Sequence, residues 1–515
     1  MVKPKGVTQI SPSGWQEIVL GPFSGGINTS SDASAIGNTE MVDCINLEVE
    51  LDGSLTTRPP IQPVSSPPAS SSRIRSLGGV TINGISAILV ANDTTVWTFN
   101  GTTFTQITTG LFISAVCQYK EKAYLVASSG SALPGGSWDG TTFVAIATLP
   151  RGNACLIWQE RMWVVSGDFT GKLSFSNIAD PGTWTSTDFF NIAPGNGERL
   201  RDLVIYNNNL ILFKEDSTYL LSYSTKPADA VVTQISASIG VSGQHCVTQR
   251  QNYIYVYHEG DIYQMVNYQF VQINIKVPFF YDASAPSTRT DTVFMCMIGT
   301  RLLVRYFNYI YVYGTLPQSW TRWASADSGL HNFGYMVPWP TNQAQDVVPR
   351  YFGGSCLAAS GAFFKIQDGF TSVDVESPLI NCSVITKDYD VGISWKFKRL
   401  FFWGADVLTN RPVTGITTPI VFNYAISWGD IKTIPWSSLL TWDQPTTKSL
   451  SVTTNISAGA GTLKRFLKFN KGLRFRQAHF EVDLQTDGSI TDGPTKLYTM
   501  TLFLSPKETV TKSVS

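Results

Sequence analysis

Short runs of alternating apolar and polar residues, punctuated by turn-forming dipeptides, dominate this chain, and no stretch holds a clean helical period. The pattern recurs. Phe99-Asn100-Gly101-Thr102-Thr103-Phe104 returns almost verbatim as Trp138-Asp139-Gly140-Thr141-Thr142-Phe143, about 39 residues on, within the period range of propeller blades. Asn-Gly and Asp-Gly are strong two-residue hairpin signals, because a type I′ turn needs positive φ at both central residues. Each phrase therefore predicts the outer hairpin of a sheet. Looser versions follow at Asp180-Pro181-Gly182-Thr183-Trp184, Asn267-Tyr268-Gln269-Phe270, Pro317-Gln318-Ser319-Trp320 and Asp368-Gly369-Phe370. The step from Trp184 to Phe270 is double the others, as if a fourth unit had lost its marker.

Inner hairpins give an independent tally. Val80–Ile82 turns at Asn83-Gly84 into Ala87–Val90, and Val116-Cys117 turns at Lys120–Lys122 into Tyr124–Val126. Leu156–Trp158 turns at Gln159–Arg161 into Met162–Val165, and Leu203–Ile205 at Asn207–Asn209 into Leu210–Phe213. A fifth turns at Gln251-Asn252 into Tyr253–Tyr257, and a sixth at Gly299-Thr300 into Leu302–Val304. A degraded seventh turns at Ser360-Gly361 into Ala362–Phe364, after a Pro-rich insertion from Val337 to Pro349. Units of this kind cannot bury both faces alone, so they stack around an axis. The expected fold is all-β: a β-propeller of seven blades, or six, over residues 73–376, then a C-terminal β-sandwich over 377–515. Separate sandwiches are the alternative. Residues 1–72 are polar and turn-rich, with Pro59-Pro60 and a Pro/Ser run from Ser65 to Ser72, and are expected as an extended arm. Lys396–Trp403, Ile420–Tyr424, Leu473–Arg476 and Leu497–Leu504 read as sandwich strands.

Composition narrows the function. Of 515 residues 43% are hydrophobic and only 15% charged, which fits a β-protein that buries much surface and excludes disorder. Lys plus Arg and Asp plus Glu balance at 38 each, so the cation excess that a DNA-binding groove needs is missing. Self-repulsion between copies is correspondingly weak, which points to assembly. Cys44, Cys117, Cys155, Cys246, Cys296, Cys356 and Cys382 form no CxxC or Cys/His cluster and read as reduced thiols in apolar runs. His245, His258, His331 and His479 are too scattered for a linear metal motif. Met1 to Gly14 lacks signal-peptide order, and no apolar window is long enough to span a membrane.

Gly21-Pro22-Phe23-Ser24-Gly25-Gly26-Ile27-Asn28, then Glu40, Asn46 and Gly53-Ser54-Leu55-Thr56-Thr57-Arg58-Pro59, resembles the opening of many tailed-bacteriophage structural proteins. Leu210 to Tyr219 is similar to a propeller strand pair of the same proteins, and Arg474 to Val482 to a phrase near their C-terminus. The group resembled is the propeller-bearing tail nozzle, or tail hub, of short-tailed phages. The resemblance implies a homohexameric ring in the virion tail, made in the host bacterial cytoplasm, below the portal and adaptor proteins. It further implies a central channel for exiting genome DNA, and docking of tail fibre or plug proteins. A receptor- or glycan-binding minor tail protein is the alternative, and a polysaccharide-degrading propeller enzyme a further one.

Catalytic chemistry finds little purchase. Ser137 to Phe143 is one residue short of the Asp-box of sialidase-type propellers, and Ser176 to Trp184 has its letters at the wrong spacing. Glycosidases need paired carboxylates, whereas Glu160, Asp168, Glu215, Asp216 and Glu259 sit in or beside turns where a solvated acid is the default. No GxSxG, HExxH or P-loop phrase occurs. The expectation is no enzyme, no catalytic or metal residues and no cofactor. Lys464, Arg465, Lys468, Lys471, Arg474 and Arg476 form a basic stretch, read as the outward face of strands rather than a cationic channel lining.

Overall fold

The computed structural model describes residues 16–59, 61–64, 73–168, 170–223, 226–278, 293–306, 309–323, 333–340, 350–355, 363–367, 379–387, 398–409, 417–427, 450–457, 461–475, 477–487 and 496–506. Among these there is no α-helix, and a single 3-10 turn at Pro227–Asp229 interrupts the strands. The repeats fold into four-stranded antiparallel meanders. Meander 1 spans residues 74–109, meander 2 113–145, meander 3 154–191, meander 4 200–236, meander 5 247–272 and meander 6 293–323. Meander 7 spans residues 333–367 and takes its fourth strand, Ile61–Pro63, from the N-terminal segment.

The first strands lie side by side: meander 1 against 2, 2 against 3, 3 against 4, 5 against 6, 6 against 7, and 7 back against 1. The chain is a β-propeller. Its core consists of layers between neighbouring meanders, such as Val80, Ile82 and Leu89 against Ile113, Leu125 and Trp138. Trp158 and Trp163 pack with Leu203 and Leu212 between meanders 3 and 4.

Turn chemistry explains the hairpins. Asn83 and Gly84 have φ of 50° and 75° between paired Ile82 and Ile85, and Asn207 and Asn208 have 48° and 59° between Tyr206 and Asn209. These inner turns carry the positive φ that two-residue hairpins demand. The outer twin phrases differ from the type I′ expectation. Phe99 pairs with Phe104 and Trp138 with Phe143, so each loop holds four residues, and only Gly101 and Gly140 have positive φ, both 100°. Asn100 Oδ1 accepts from the N–H groups of Thr102 and Thr103 at 3.0 and 2.9 Å, and Asp139 Oδ1 does the same for Thr141 and Thr142 at 2.9 and 2.8 Å. The side chain closes the turn in place of a second left-handed residue.

Two other expectations change, and the missing marker of the fourth unit is explained. In meander 7 the first hairpin is Phe333–Pro338 with Arg350–Ser355, on either side of the supposed insertion, and Phe363 begins the third strand. The Ser360-Gly361 and Asp368-Gly369-Phe370 turns lie outside the described residues. The segment expected as an extended arm carries strands in three sheets, because its apolar residues Leu20, Phe23, Ile27, Leu47 and Ile61 are buried there. Meander 4 lacks an aromatic outer turn because its third and fourth strands are joined by a longer link containing Pro227–Asp229.

Two further sheets complete the chain. One runs Gly461–Phe475, Lys398–Thr409, Lys496–Pro506, Leu55–Thr57 and Leu47–Val49, with Gln16–Leu20 also paired to Lys496–Pro506. The other extends meander 6 through Glu40–Ile45, Leu379–Thr386, Gln477–Asp487 and Thr417–Ser427 to Leu450–Ser457, making ten strands with Gly26–Ile27. Leu20 and Leu55 of the first sheet share a core with Met41, Cys44, Cys382 and Val384 of the second.

Candidate functional site

Three places concentrate polar and conformationally demanding residues. The first is the junction where the N-terminal strands meet Ser319–Trp323, the fourth strand of meander 6. Gly26 has φ +67°, and a Cβ there would lie 2.8 Å from both the backbone N and O of Trp320, so only glycine fits. Asn28 Nδ2 donates to Glu40 Oε2 at 2.9 Å, while Glu40 Oε1 pairs with Lys276 Nζ at 2.8 Å. Burial pushes the Glu40 carboxyl up, but hydrogen bonds from Lys276, Gly37 and Asn28 outweigh it and hold the group below its usual value. Asn46, at φ 57°, donates its N–H to Arg322 O at 2.9 Å, and its Oδ1 accepts from Arg58 Nε at 3.0 Å. Arg58 lies over the Trp323 ring at 5.9 Å, Arg322 pairs with Asp43, and Arg301 Nε pairs with Glu48 at 2.6 Å. Gly26, Asn46 and Arg58 of the opening phrase are therefore fasteners. They tie the N-terminal strands to meander 6.

The second place is the propeller axis. The link between meanders 4 and 5 crosses it: Gln244 Nε2 donates to Ser114 O of meander 2 and to Asn153 O, the residue just before meander 3, at 3.1 and 2.6 Å. His245 O accepts from Met295 N of meander 6 at 2.9 Å, and the His245 ring stands edge-on to Tyr335 at 4.6 Å. The axis is closed on this face. Beside the closure lies a cavity of about 390 Å³, lined among others by Leu77, Asp202, His245, Phe294, Arg305 and Tyr335. Burial pushes the Asp202 carboxyl up to about 7, although Leu203 N–H donates to it at 2.8 Å. Burial pushes His245 down to about 4, and its Nε2 has no hydrogen-bond partner. Cys296 is pushed up to about 12 by burial, so it stays a thiol and no nucleophile at neutral pH.

The third place joins the turns between second and third strands in meanders 4 and 5. Lys214 Nζ reaches Ile192 O and Ala193 O at 3.3 and 3.1 Å, Glu215 pairs with Arg201, and Ser217 Oγ donates to Glu198. Asp216 is left over. One carboxylate oxygen of Asp216, one of Glu259 and one ring nitrogen of His258 lie within 4.8 Å of one another. Burial raises the Asp216 carboxyl above its usual value, His258 opposes this, and the charges of Glu198, Glu259 and Glu215 add to it.

The structure disperses the remaining candidates. Glu160 lies in an inner turn at φ 60° and accepts from Tyr119 Oη. Asp168 caps its own loop, accepting from Ser166 Oγ and Thr170 N at 2.8 and 3.0 Å. Asp180 and Gly182 form a local turn inside the long outer loop of meander 3. Six cysteines are free thiols, and Cys356 lies outside the described residues. Lys464, Arg465, Lys468, Lys471 and Arg474 all fall on one strand, Gly461–Phe475, at the end of its sheet, while Arg476 lies outside the described residues. Gln244 and His245 were not legible as an axial closure, since nothing local marks their partners. The Asp216 and Glu259 pairing could have been found by superposing the second turns of consecutive units.

Against known proteins the likeness is one of fold. No family model matches the chain, and no curated protein matches it. Among solved structures, PorZ of the Porphyromonas gingivalis type-IX secretion system is similar at TM-score 0.38 and 11% identity, over 63% of this chain and 42% of that one. The extracellular domain of the putative hybrid two-component system BT4673 from B. thetaiotaomicron gives 0.40 and 11%, over 59% and 39%. The Neurospora crassa Pan2 WD40 domain gives 0.40 and 9%, over 61% and 95%. The chain thus spans less than half the length of the first two.

Proposed function

We propose that this chain is a non-enzymatic structural subunit of a bacteriophage tail, assembling as a ring, six copies by its resemblance to tail nozzles. The observation that carries the reading is the junction. Gly26, Asn46 and Arg58 of the opening phrase fasten the N-terminal strands to meander 6, which suits a load-bearing part rather than a catalyst. Counting meander 6 as a blade gives a seven-bladed propeller, and the shared core between the two further sheets supports a sandwich beside it. The strand Gly461–Phe475 ends its sheet over 15 residues, and a long edge of this kind is suited to pairing with another chain. With net charge near zero, copies of the chain repel one another little.

In this reading the genome passes between the copies, since Gln244 and His245 close the propeller's own axis. Adaptor and portal-side proteins bind one end of the ring, and fibre or plug proteins the other. Electron microscopy of the purified full chain, and of the virion with the chain labelled, tests this. Six-fold rings on the tail axis are expected. Isolated monomers with affinity for host glycans would instead favour the receptor-binding alternative, and cleavage of host polysaccharide would favour the enzymatic one.

A further inference from the structure

We infer that Asp216, His258 and Glu259 form a binding site for a divalent transition-metal ion, Zn²⁺ or Mn²⁺, that bridges meanders 4 and 5. This stands independently of any role in a tail.

The donor set has the right chemistry. One imidazole nitrogen with two carboxylates suits borderline first-row ions, whereas Ca²⁺ prefers oxygen ligands alone. The spacing is right to within a small closure. Metal–ligand bonds near 2.1 Å place two ligands at most about 4.2 Å apart, and the three donor atoms already lie within 4.8 Å. Asp216 and Glu259 are exposed on turns, so their side chains can swing inward, while His258 is held in place at 6% exposure.

Two observations go beyond a mere gathering of acids. One nitrogen of the buried His258 ring lies with the two carboxylate oxygens, and the ring's Nδ1 is buried without a hydrogen-bond partner, a costly state for an imidazole. The surrounding cations are also committed elsewhere: Lys214 to the Ile192 and Ala193 carbonyls, and Arg201 to Glu215. Glu198 and Glu215 add negative charge around Asp216, with His258 as the group that offsets it.

The location gives the ion a purpose. The first strands of meanders 4 and 5 do not run side by side as their neighbours do. The chain that links these two meanders continues into the axial closure, and Ser242 Oγ accepts from Glu259 N–H at 2.8 Å within it. An ion here clasps that seam and steadies the Gln244–His245 closure.

Equilibrium dialysis of the tag-free full chain against Zn²⁺, followed by elemental analysis, is expected to give one ion per chain. Mn²⁺ should compete and Ca²⁺ should not. Because His258 is buried, the exposed double variant D216N/E259Q carries the comparison, checked for an unchanged melting temperature without metal. Its Zn²⁺ affinity should fall by well over the roughly tenfold that losing even an outer-shell partner costs. Independently of any variant, pulsed electron paramagnetic resonance of the Mn²⁺-loaded chain should show coupling to one imidazole nitrogen. Absence of uptake, unchanged affinity in the double variant, or Mn²⁺ bound without nitrogen coupling would each overturn the site.

Discussion

Asp202 and His245 face one cavity and are displaced by burial in opposite senses. Asp202 titrates near 7 in the folded chain, above its unfolded value, so the folded state holds its proton more tightly and stability falls as pH rises from about 4 through 7. His245 titrates near 4, below its unfolded value, so stability falls as pH drops from about 6.5 through 4. The two slopes oppose across the same window, each on the order of 3 kcal/mol. Denaturant midpoints of the wild-type chain should therefore vary little from these two groups between pH 4 and 7. Asp202→Asn should expose the histidine slope, with stability lost toward acid. His245→Gln should expose the carboxylate slope, with stability lost toward neutral pH. Two variants with the same slope as wild type would refute this pairing.

At the level of elements, the strand Ile61–Pro63 decides whether the propeller closes. Ile61 is fully buried, pairs with Ile366 and packs with Ile298, Trp323 and Phe364. Ile61→Ala should cost about 2–5 kcal/mol, read as a lower denaturant midpoint, with protease sensitivity appearing first in meander 7. Gly26→Ala should cost about 1–3 kcal/mol for its left-handed backbone alone, with more from the 2.8 Å clash against Trp320. An unchanged midpoint in either variant would show that these contacts are dispensable. The inner hairpins were legible because positive φ restricts the residues a tight turn accepts, and Asn83-Gly84 and Asn207-Asn208 advertise it. Ile61–Pro63 was not legible. Three residues bracketed by prolines look like a linker, and Pro63 is tolerated because it sits on an outer edge where no N–H is needed. The Gln244 contacts lie 91 and 130 residues away in sequence, beyond any local pattern.

For the whole molecule, the near-zero net charge and the long edge at Gly461–Phe475 both favour association. If copies assemble as proposed, sedimentation at rising salt should leave the assembly intact where strand pairing and apolar contact hold it, since screening weakens exposed ion pairs alone. Dissociation by about 0.5 M salt would shift the weight to the basic residues of that strand. The repeat architecture was legible from the rhythm of hairpins. The partition of the N-terminal segment among three sheets was not, because it depends on where distant strands leave an open edge.

The backbone ladder that runs from meander 6 into the rest of the ten-stranded sheet narrows to one pairing, Ile45 with Arg322. Side chains take over at that neck: Arg322 on Asp43, Arg58 over Trp323, and Arg58 Nε on the Asn46 side-chain oxygen. A pull applied to the C-terminal strands thus reaches the propeller through a narrow weld flanked by rivets. Under a pull on the C-terminal strands, that neck is expected to part before the four-stranded meanders open.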